Sequence, residues 1–162
     1  VASSRPSSFG SSVWRAMSAI DVVSDASVAL KWFHAEGEQE VEPARALLEH
    51  YARQAIGLIV LDLTPYEVGN ALLRGRARVA ADRVAVVLDA LADICPQVAP
   101  TMDEMRDAAT LAESHGLTLY DAAYAAVARA RKAELVTLDE ALLRSGLGRR
   151  PSAVVADLQR PP

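Results

Sequence analysis

The sequence predicts an α/β fold, an α/β/α sandwich around a central, mostly parallel sheet of about five strands. Short apolar runs alternate along the chain with amphipathic helical patterns, which is typical of parallel sheets covered on both faces. Of the 162 residues, 51% are hydrophobic and 23% are charged, which is a globular composition. This length predicts one domain that buries a core of its own.

The first half of the chain begins this alternation. The run IDVVSD, which ends in Asp25, predicts the first strand, and a helix from about Ser27 to His34 follows it. Apolar residues at helical spacing between Ala44 and Ala55 predict a second helix. GLIVLDL then predicts a buried strand.

The middle of the chain supplies the next three helices. TPYEVGNALLRGR predicts a third helix with Thr64 as N-cap and Pro65 at the first helical position. ADRVAVVLDALADI predicts a fourth, stopped by Pro96, and QVAP a short strand. TMDEMRDAATLAESHG predicts a fifth helix with Thr101 as cap and Gly116 as stop.

The last quarter predicts a sixth helix over 119–132, a strand at ELVTL and a short helix at DEALLRS. SAVVADL predicts a final strand. Residues 19–158 are expected to form the domain, and 159–162 a tail. Residues 1–18 are serine-rich and free of acids, so we expect a vector-derived, upstream-translated or disordered leader, with Met17 as the native start.

Cysteine usage and hydropathy exclude several classes of protein. Cys95 is the single cysteine of the sequence, which excludes an internal disulfide and a Cys-rich zinc site and favours a reducing, cytoplasmic location. No apolar run approaches the ~20 residues needed to span a bilayer, so no membrane association is expected. The net charge of −4 neither favours nor excludes a nucleic-acid partner, because local patches matter more.

Four acidic residues lie near the ends of predicted strands. Asp25 closes the first strand and Asp139 closes ELVTL, while Glu67 and Asp121 lie in the first turns of helices. In parallel sheets, ligands bind outside the carboxyl ends of the strands, so these acids can converge there. Clustered carboxylates are unfavourable without a cation, and oxygen-only ligands favour Mg²⁺ or Mn²⁺ over zinc.

Helix capping is an alternative explanation for each acid. Asp25 and Asp139 each precede a helical segment and can act as N-caps. Glu67 and Asp121 each follow a threonine by three residues, which is capping-box spacing, and acids in a first turn are favoured by the helix dipole. On the residues alone, capping and metal binding both remain open.

Four segments of the chain resemble, in order, the motif blocks of PIN-domain proteins, above all VapC-type toxin ribonucleases of type II toxin–antitoxin systems. The segments are VSDASVALKWF, LTPYEVGNAL, LTLYDAAYAAVARA and ELVTLDEALL. The similarity runs from Ile20 to Leu158. The YDAAYAAVA and LVTLDEAL pair is its most specific part, whereas the Glu67 block is weak by itself.

The resemblance implies a compact PIN-like fold and an Mg²⁺- or Mn²⁺-dependent endoribonuclease. Asp25, Glu67, Asp121 and Asp139 match the acidic quartet of the family. By this likeness Asp25 and Asp121 would hold the ion directly, with Glu67 and Asp139 holding waters or a second ion. Attack of water on an RNA phosphodiester would leave a 5′-phosphate and a 3′-hydroxyl.

Three further residues match supporting positions of the family. Ser27 and Thr137 match hydroxyl positions that flank the quartet. Asn70 matches a polar position next to the site, although an exposed asparagine on a helix surface is an equally good explanation. The resemblance also implies a homodimer and a small cognate antitoxin whose C-terminal segment lies in a groove near the active site.

Contacts to RNA or to a partner are assigned to cations and one aromatic residue. Arg74, Arg76 and Arg78, in RGRAR, are candidates for attracting RNA to an acidic site. Trp32 can line an antitoxin groove or stack on RNA, and core packing is an equal alternative. The tyrosines on either side of Asp121, at 120 and 124, are assigned to packing.

Other functions fit the sequence less well. A haloacid-dehalogenase-type phosphatase needs a second aspartate two residues after Asp25, where Ser27 stands. A receiver domain needs an adjacent acidic pair near the first strand and a late lysine after a strand, and the sequence has neither. The P-loop pattern is also absent, which excludes P-loop proteins. The remaining alternative is a PIN-fold module that binds RNA or protein without nuclease activity.

Overall fold

The structure is a computed structural model that describes residues 20–35, 39–76 and 78–160. The predicted leader, residues 1–18, lies outside the described residues. The strands are β1 Ile20–Ser24, β2 Ile56–Leu61, β3 Gln97–Val98 and β4 Glu134–Val136. The helices are α1 Ala26–Phe33, α2 Val41–Ala52, α3 Thr64–Arg74, α4 Ala81–Ile94, α5 Met102–His115, α6 Leu119–Arg131, α7 Glu140–Arg144 and α8 Pro151–Leu158.

The described strands form one parallel sheet in the order β3-β2-β1-β4. Helices connect the strands, so every strand runs in the same direction and all carboxyl ends lie at one edge. This arrangement confirms the predicted α/β/α fold with a parallel sheet. The sheet has four strands in the described part of the chain, where about five were expected.

The prediction of a last strand at SAVVADL is wrong, because these residues belong to α8. Pro151, Val154 and Val155 are buried and Leu158 packs against the same core, an i, i+3, i+4, i+7 spacing that is helical. Before this helix Arg149 makes a single parallel bridge at the edge of β4. Proline has no N–H to extend a ladder, so the edge pairing ends there.

The sheet separates two hydrophobic clusters. Val22 and Val23 are adjacent on β1 and fully buried, yet they belong to different clusters because successive side chains of a strand point to opposite faces. One cluster includes residues of α1–α4 and α8, and the other residues of α5–α7. Burial on both faces explains why the strands consist of continuous apolar runs.

Helix α6 lies against the second face with seven consecutive buried residues, Ala122 to Ala128. Five of these seven are alanines, whose small side chains let the helix backbone approach the sheet and α5 closely. This close packing positions the first turn of α6, which contains Asp121, at the edge of the core. Across residues 20–35, 39–76 and 78–160, no helix has the length and hydropathy required to cross a membrane.

Two matched substitutions test whether α8 is a helix. Val154 is buried and Ala156 is exposed, whereas in a strand the two side chains would share one face. We expect Val154→Asp to lower the free energy of unfolding by about 3–5 kcal/mol, because it buries an unpaired charge. Ala156→Asp should change it by less than about 0.5 kcal/mol. Urea denaturation measures both, and equal losses would contradict the helix.

Candidate active site

Asp25 lies at the junction of β1 and α1, next to the carboxyl end of β4. Its N–H donates to the Val136 carbonyl oxygen at 3.1 Å, which continues the pairing of the two strands. The carboxylate is only 5% exposed and caps α1, since Oδ1 accepts from the N–H of Val28 at 3.1 Å. Oδ1 also accepts from Ser27 Oγ at 2.6 Å, and Oδ2 accepts from Thr137 Oγ1.

Ser27 and Thr137 hold Asp25 in one orientation. While donating to Asp25, Ser27 Oγ accepts from the N–H of Leu138 at 2.8 Å and Thr137 Oγ1 accepts from the N–H of Asp139 at 2.9 Å. Each hydroxyl therefore connects the carboxylate to the segment that follows β4. The two residues stand where the sequence predicted hydroxyl groups beside the acids.

Asp139 is the N-cap of α7 and is joined to Asp25 through Thr137. Its Oδ1 accepts from the N–H groups of Ala141 at 2.8 Å and Leu142 at 3.0 Å. The other oxygen, Oδ2, has no hydrogen-bond partner among the residues described. Capping therefore uses one carboxylate oxygen and leaves the second for another ligand.

Glu67 does not form the capping box that its spacing from Thr64 predicted. Leu63 occupies the N-cap position, and Thr64 is a fully buried residue of α3. The Thr64 hydroxyl shares a 2.8 Å hydrogen bond with the Tyr124 hydroxyl, which donates to Glu67 Oε2 at 2.7 Å. Hydrogen bonds from Tyr124 on α6 to α3 thus take the place of a local cap.

Tyr124 is a site residue that the sequence analysis missed, because it was assigned only to packing. Its ring is buried, but its hydroxyl orients Glu67. The available signal was its position three residues after Asp121, since residues i and i+3 share one side of a helix. Burial and the neighbouring Glu67 charge both raise the pKa of Tyr124, so the hydroxyl remains protonated and donates.

Asp121 lies in the first turn of α6, half-buried, beside the N-cap Thr118. Thr118 Oγ1 accepts from the N–H of Asp121 at 3.1 Å and donates to its Oδ2 at 2.6 Å. The capping alternative is therefore realised for Asp25 and Asp139, which are N-caps. Asp121 lies beside the N-cap of α6 but does not complete a capping box, because its carboxylate accepts from the Thr118 hydroxyl and not from the Thr118 N–H. Oδ1 of Asp121 has no hydrogen-bond partner in the described part of the chain.

The acids are coupled electrostatically. Burial raises the pKa of Asp25 to about 6; its hydrogen bonds oppose this rise and the Glu67 charge adds to it. Burial likewise raises the pKa of Glu67, against the Tyr124 hydrogen bond, and the charge of Asp121 adds to the effect. Glu67 therefore interacts electrostatically with both Asp25 and Asp121. Asp139 is connected to them through its N–H, which donates to Thr137 Oγ1.

The donor chemistry of this site fits a hard divalent cation. The four acids offer only oxygen atoms, and none of them forms an ion pair with a cation in the described ranges. Within residues 20–35, 39–76 and 78–160, however, no three His, Cys, Asp or Glu side chains are spaced to hold one ion. An ion would have to draw the carboxylates closer together, which their mutual repulsion otherwise opposes.

The remaining predicted residues fall into two groups. Arg74, Arg76 and Arg78 are exposed and form no ion pair with residues of the described chain. Asn70 is also exposed, one turn after Glu67. Trp32 is in the core, 7% exposed, and its Nε1–H donates to the Ala44 carbonyl oxygen at 3.1 Å, so the packing alternative is the one realised.

A cavity of about 420 Å³ opens beside Glu67. Its lining residues come from the start of α3 and the start of α6, and they are Leu63, Tyr66, Glu67, Asn70 and Tyr120. The packing role assigned to Tyr120 is wrong, because this side chain is 67% exposed. Tyr120 projects outwards from the helix turn that contains Asp121.

The raised pKa of Asp25 predicts a pH-dependent stability. The Asp25 carboxyl binds its proton more tightly in the folded state than in the unfolded state. Ionisation of Asp25 therefore destabilises the fold, and this loss of stability begins above about pH 3.8 and is complete above about pH 6. The difference between the two pKa values corresponds to about 3 kcal/mol in the free energy of unfolding. In EDTA, the unfolding free energy of the wild type relative to Asp25→Asn should fall by about this amount from pH 3.5 to pH 7.5. Asp89→Asn, at an exposed position of α4, is the control substitution. If the difference in unfolding free energy between the wild type and Asp25→Asn does not change with pH, the prediction is wrong.

Removing the Tyr124 hydroxyl tests the connection between α6 and α3. Tyr124→Phe leaves the Thr64 hydroxyl and the Glu67 carboxylate without their shared partner. We expect a loss of about 1–3 kcal/mol in the free energy of unfolding, measured with denaturant. Tyr120→Phe, which removes an exposed hydroxyl, should cost less than about 0.5 kcal/mol. Similar losses in both variants would show that the buried network adds nothing.

Comparison with known proteins places the chain in a family. The PIN domain family model matches residues 22–146. Ribonuclease VapC3 of Pyrobaculum aerophilum is 33% identical over 125 residues, which cover 75% of this chain and 90% of the relative.

Two solved structures share the fold. PAE2754 from Pyrobaculum aerophilum superposes with a TM-score of 0.64 at 25% identity, over 86% of this chain and 96% of its own. VapC20 of Mycobacterium tuberculosis, described as a Sarcin-Ricin loop cleaving toxin, has a TM-score of 0.59 at 18% identity, over 77% and 95%. The chain belongs to the PIN domain family and is of the VapC type, as its four motif blocks predicted.

Proposed function

We propose that the protein is an Mg²⁺- or Mn²⁺-dependent endoribonuclease and the toxin of a type II toxin–antitoxin pair. The observation that carries this proposal is the buried Asp25 carboxylate, held by two hydroxyls and electrostatically coupled to Glu67 without a cationic partner. A resident cation would remove this unfavourable charge. The similarity to Ribonuclease VapC3 supports nuclease activity.

The residues of this chain have separate roles in the proposed reaction. Asp25 and Asp121 would hold the ion directly, and Glu67 and Asp139 would complete its surroundings. When bound, the ion supplies Lewis acidity that lowers the pKa of water and offsets negative charge on a phosphate. Tyr124 orients Glu67 for this role, and Ser27 and Thr137 would orient Asp25 in the same way.

A carboxylate of the site can accept the proton of the attacking water. Both oxygens of Asp25 accept hydrogen bonds within the protein. Asp121 and Asp139 each keep one oxygen without a partner among the described residues. The free oxygen of Asp121 is the one assigned to the ion, so Asp139 is the better candidate for the base. Displacement of the 3′ oxygen by water would leave a 5′-phosphate and a 3′-hydroxyl.

The RNA backbone needs cations close to this acidic site. Arg74 follows Glu67 by seven residues, which places it on the same side of α3 about 10 Å further along the axis. Arg76 and Arg78 continue from the end of that helix. By contrast, Arg129 pairs with an acid on α5, at 3.2 Å. The Arg74–Arg78 segment therefore remains available for phosphates.

The same likeness supports the proposed partners and location. A VapC-type toxin is expected to form a homodimer and to bind a small cognate antitoxin through a groove near the active site. The single cysteine supports a reducing, cytoplasmic location. We also propose that residues 19–158 form the PIN domain and that 159–162 are a tail.

A PIN-fold binding module without nuclease activity is the second candidate. Two observations raise it: Asp25, Asp139 and Thr118 serve as helix caps, and no three acids of the described chain stand at single-ion spacing. Both features are compatible with a catalytic site that closes around an ion. They are equally compatible with acids that have only a structural role.

Cleavage of a structured RNA pool by the antitoxin-free protein distinguishes the two candidates. We expect cleavage with Mn²⁺, none with EDTA, and a rate at least about 100-fold lower for Asp121→Asn, because a ligand charge is lost at unchanged size. Exposed Asp89→Asn on α4 is the matched control. Circular dichroism verifies that each variant is folded.

The other outcomes are equally informative. Cleavage that persists in EDTA would contradict metal dependence or indicate a contaminating nuclease. Metal-dependent cleavage that persists at the wild-type rate in Asp121→Asn would contradict the role assigned to Asp121. If folded wild-type protein cleaves no RNA under any condition but binds it, the binding module is the better description.

A further inference from the structure

Two exposed tyrosines flank the candidate active site. Tyr66 is 77% exposed and Tyr120 is 67% exposed, so neither ring is buried in the core. Each directly precedes one of the acids: Tyr66 stands before Glu67 on α3, and Tyr120 before Asp121 on α6. Neither hydroxyl has a hydrogen-bond partner in the described part of the chain. The fold therefore does not explain why tyrosines occupy these positions.

The two rings border one cavity together with Glu67. The volume of about 420 Å³ lies within the range of about 300–1,000 Å³ that is typical of ligand sites. Leu63 contributes an apolar wall and Asn70 an exposed amide, which can donate and accept hydrogen bonds. Aromatic faces, an apolar wall and one amide suit a flat heterocycle with polar edges better than they suit a purely apolar ligand.

We propose that Tyr66 and Tyr120 bind an unpaired RNA base, which stacks on their rings next to the phosphate to be cleaved. This inference rests on the proposed function, because it takes RNA as the substrate. The shared cavity connects the base site directly to Glu67, and the exposed arginines after α3 supply charge for the flanking phosphates. The substrate class is then single-stranded or looped RNA, with at least one base free to leave its stack.

Stacking explains why the feature consists of tyrosines. Every base has a π-face, so an aromatic ring holds RNA without a strict sequence requirement. The bases of an RNA duplex are already stacked and paired, so they cannot stack on the two tyrosine rings. Tyr66 and Tyr120 would therefore favour single strands over duplexes. Trp32, the aromatic residue that the sequence offered for stacking, is buried and has no ring face to present.

The test is RNA binding in EDTA, where no metal-dependent cleavage occurs. A single-stranded RNA with one 2-aminopurine is titrated with the full chain at low salt, because stacking on a tyrosine ring changes the base fluorescence. We expect Tyr66→Ala and Tyr120→Ala each to weaken binding by about 5- to 150-fold. Tyr66→Phe and Tyr120→Phe keep the ring and should stay within about 3-fold of wild type.

Two controls separate stacking from other effects. Met102→Ala removes another exposed large side chain, 68% exposed on α5, and should leave RNA binding unchanged. Binding of the same sequence as a duplex should not respond to the tyrosine substitutions. In cleavage assays, the alanine variants should raise KM much more than they lower kcat, because the rings bind substrate without touching the reacting atoms.

The outcomes distinguish this inference from the proposed function. Unchanged single-strand binding by both alanine variants overturns the inference, and a loss of self-association in those variants would identify the tyrosines as a protein contact. If wild type shows ring-dependent binding but no metal-dependent cleavage, the base site stands and the nuclease proposal fails. If cleavage is metal-dependent but indifferent to the tyrosines, only the inference fails.

Discussion

The parallel pairing of β1 with β4 is the constraint on which the candidate site depends. Ser24 stands opposite Val136, so the next residues, Asp25 and Thr137, leave the sheet side by side at its carboxyl edge. Their hydrogen bond joins segments 112 residues apart in sequence. A shift of one residue in this register would turn the side chains to the other face and separate the two groups. Gly148 supports the arrangement, because a side-chain carbon there would collide with the Thr137 methyl group.

The same acids serve the fold and the proposed chemistry. Asp139 caps α7 with one oxygen and keeps the other unbonded, and Asp25 caps α1 while it lies buried beside the Glu67 charge. Capping stabilises each helix by about 0.5–2 kcal/mol. Burial of negative charge without a basic partner acts in the opposite direction. The N–H groups at the helix ends thus have hydrogen-bond partners, while the site as a whole keeps negative charge without a basic partner. Such uncompensated charge is common at functional sites.

Helix α3 presents several parts of the proposed substrate site along its exposed length. Tyr66 offers a ring for a base, and Asn70 lines the same cavity. Glu67 is coupled electrostatically to Asp25 and Asp121. Arg74 ends the helix two turns beyond Glu67. The first turn of α6 adds Tyr120 and its neighbouring acid from the opposite side. Base, phosphate and ion would thereby be bound by two helices that the Tyr124 hydroxyl connects through its bonds to α3.

The sequence by itself determined the order of most helices and strands, because periodicity and capping are local properties that a short window displays. It also identified the four acids, and their motif blocks identified the PIN domain family. Only the tertiary structure decided what depends on distant neighbours. SAVVADL became a helix because its apolar side chains found a core to pack against.

Thr64 is not the N-cap that the sequence predicted, because its hydroxyl hydrogen-bonds to the buried hydroxyl of Tyr124, sixty residues further along the chain. Tertiary packing likewise determines that Tyr120 is exposed and Trp32 is buried. An amphipathic aromatic side chain suits either environment, so its position in the sequence does not predict its burial. Spacing along a chain specifies neighbours on one helix or strand, whereas the distances between carboxylates are set by how those elements pack.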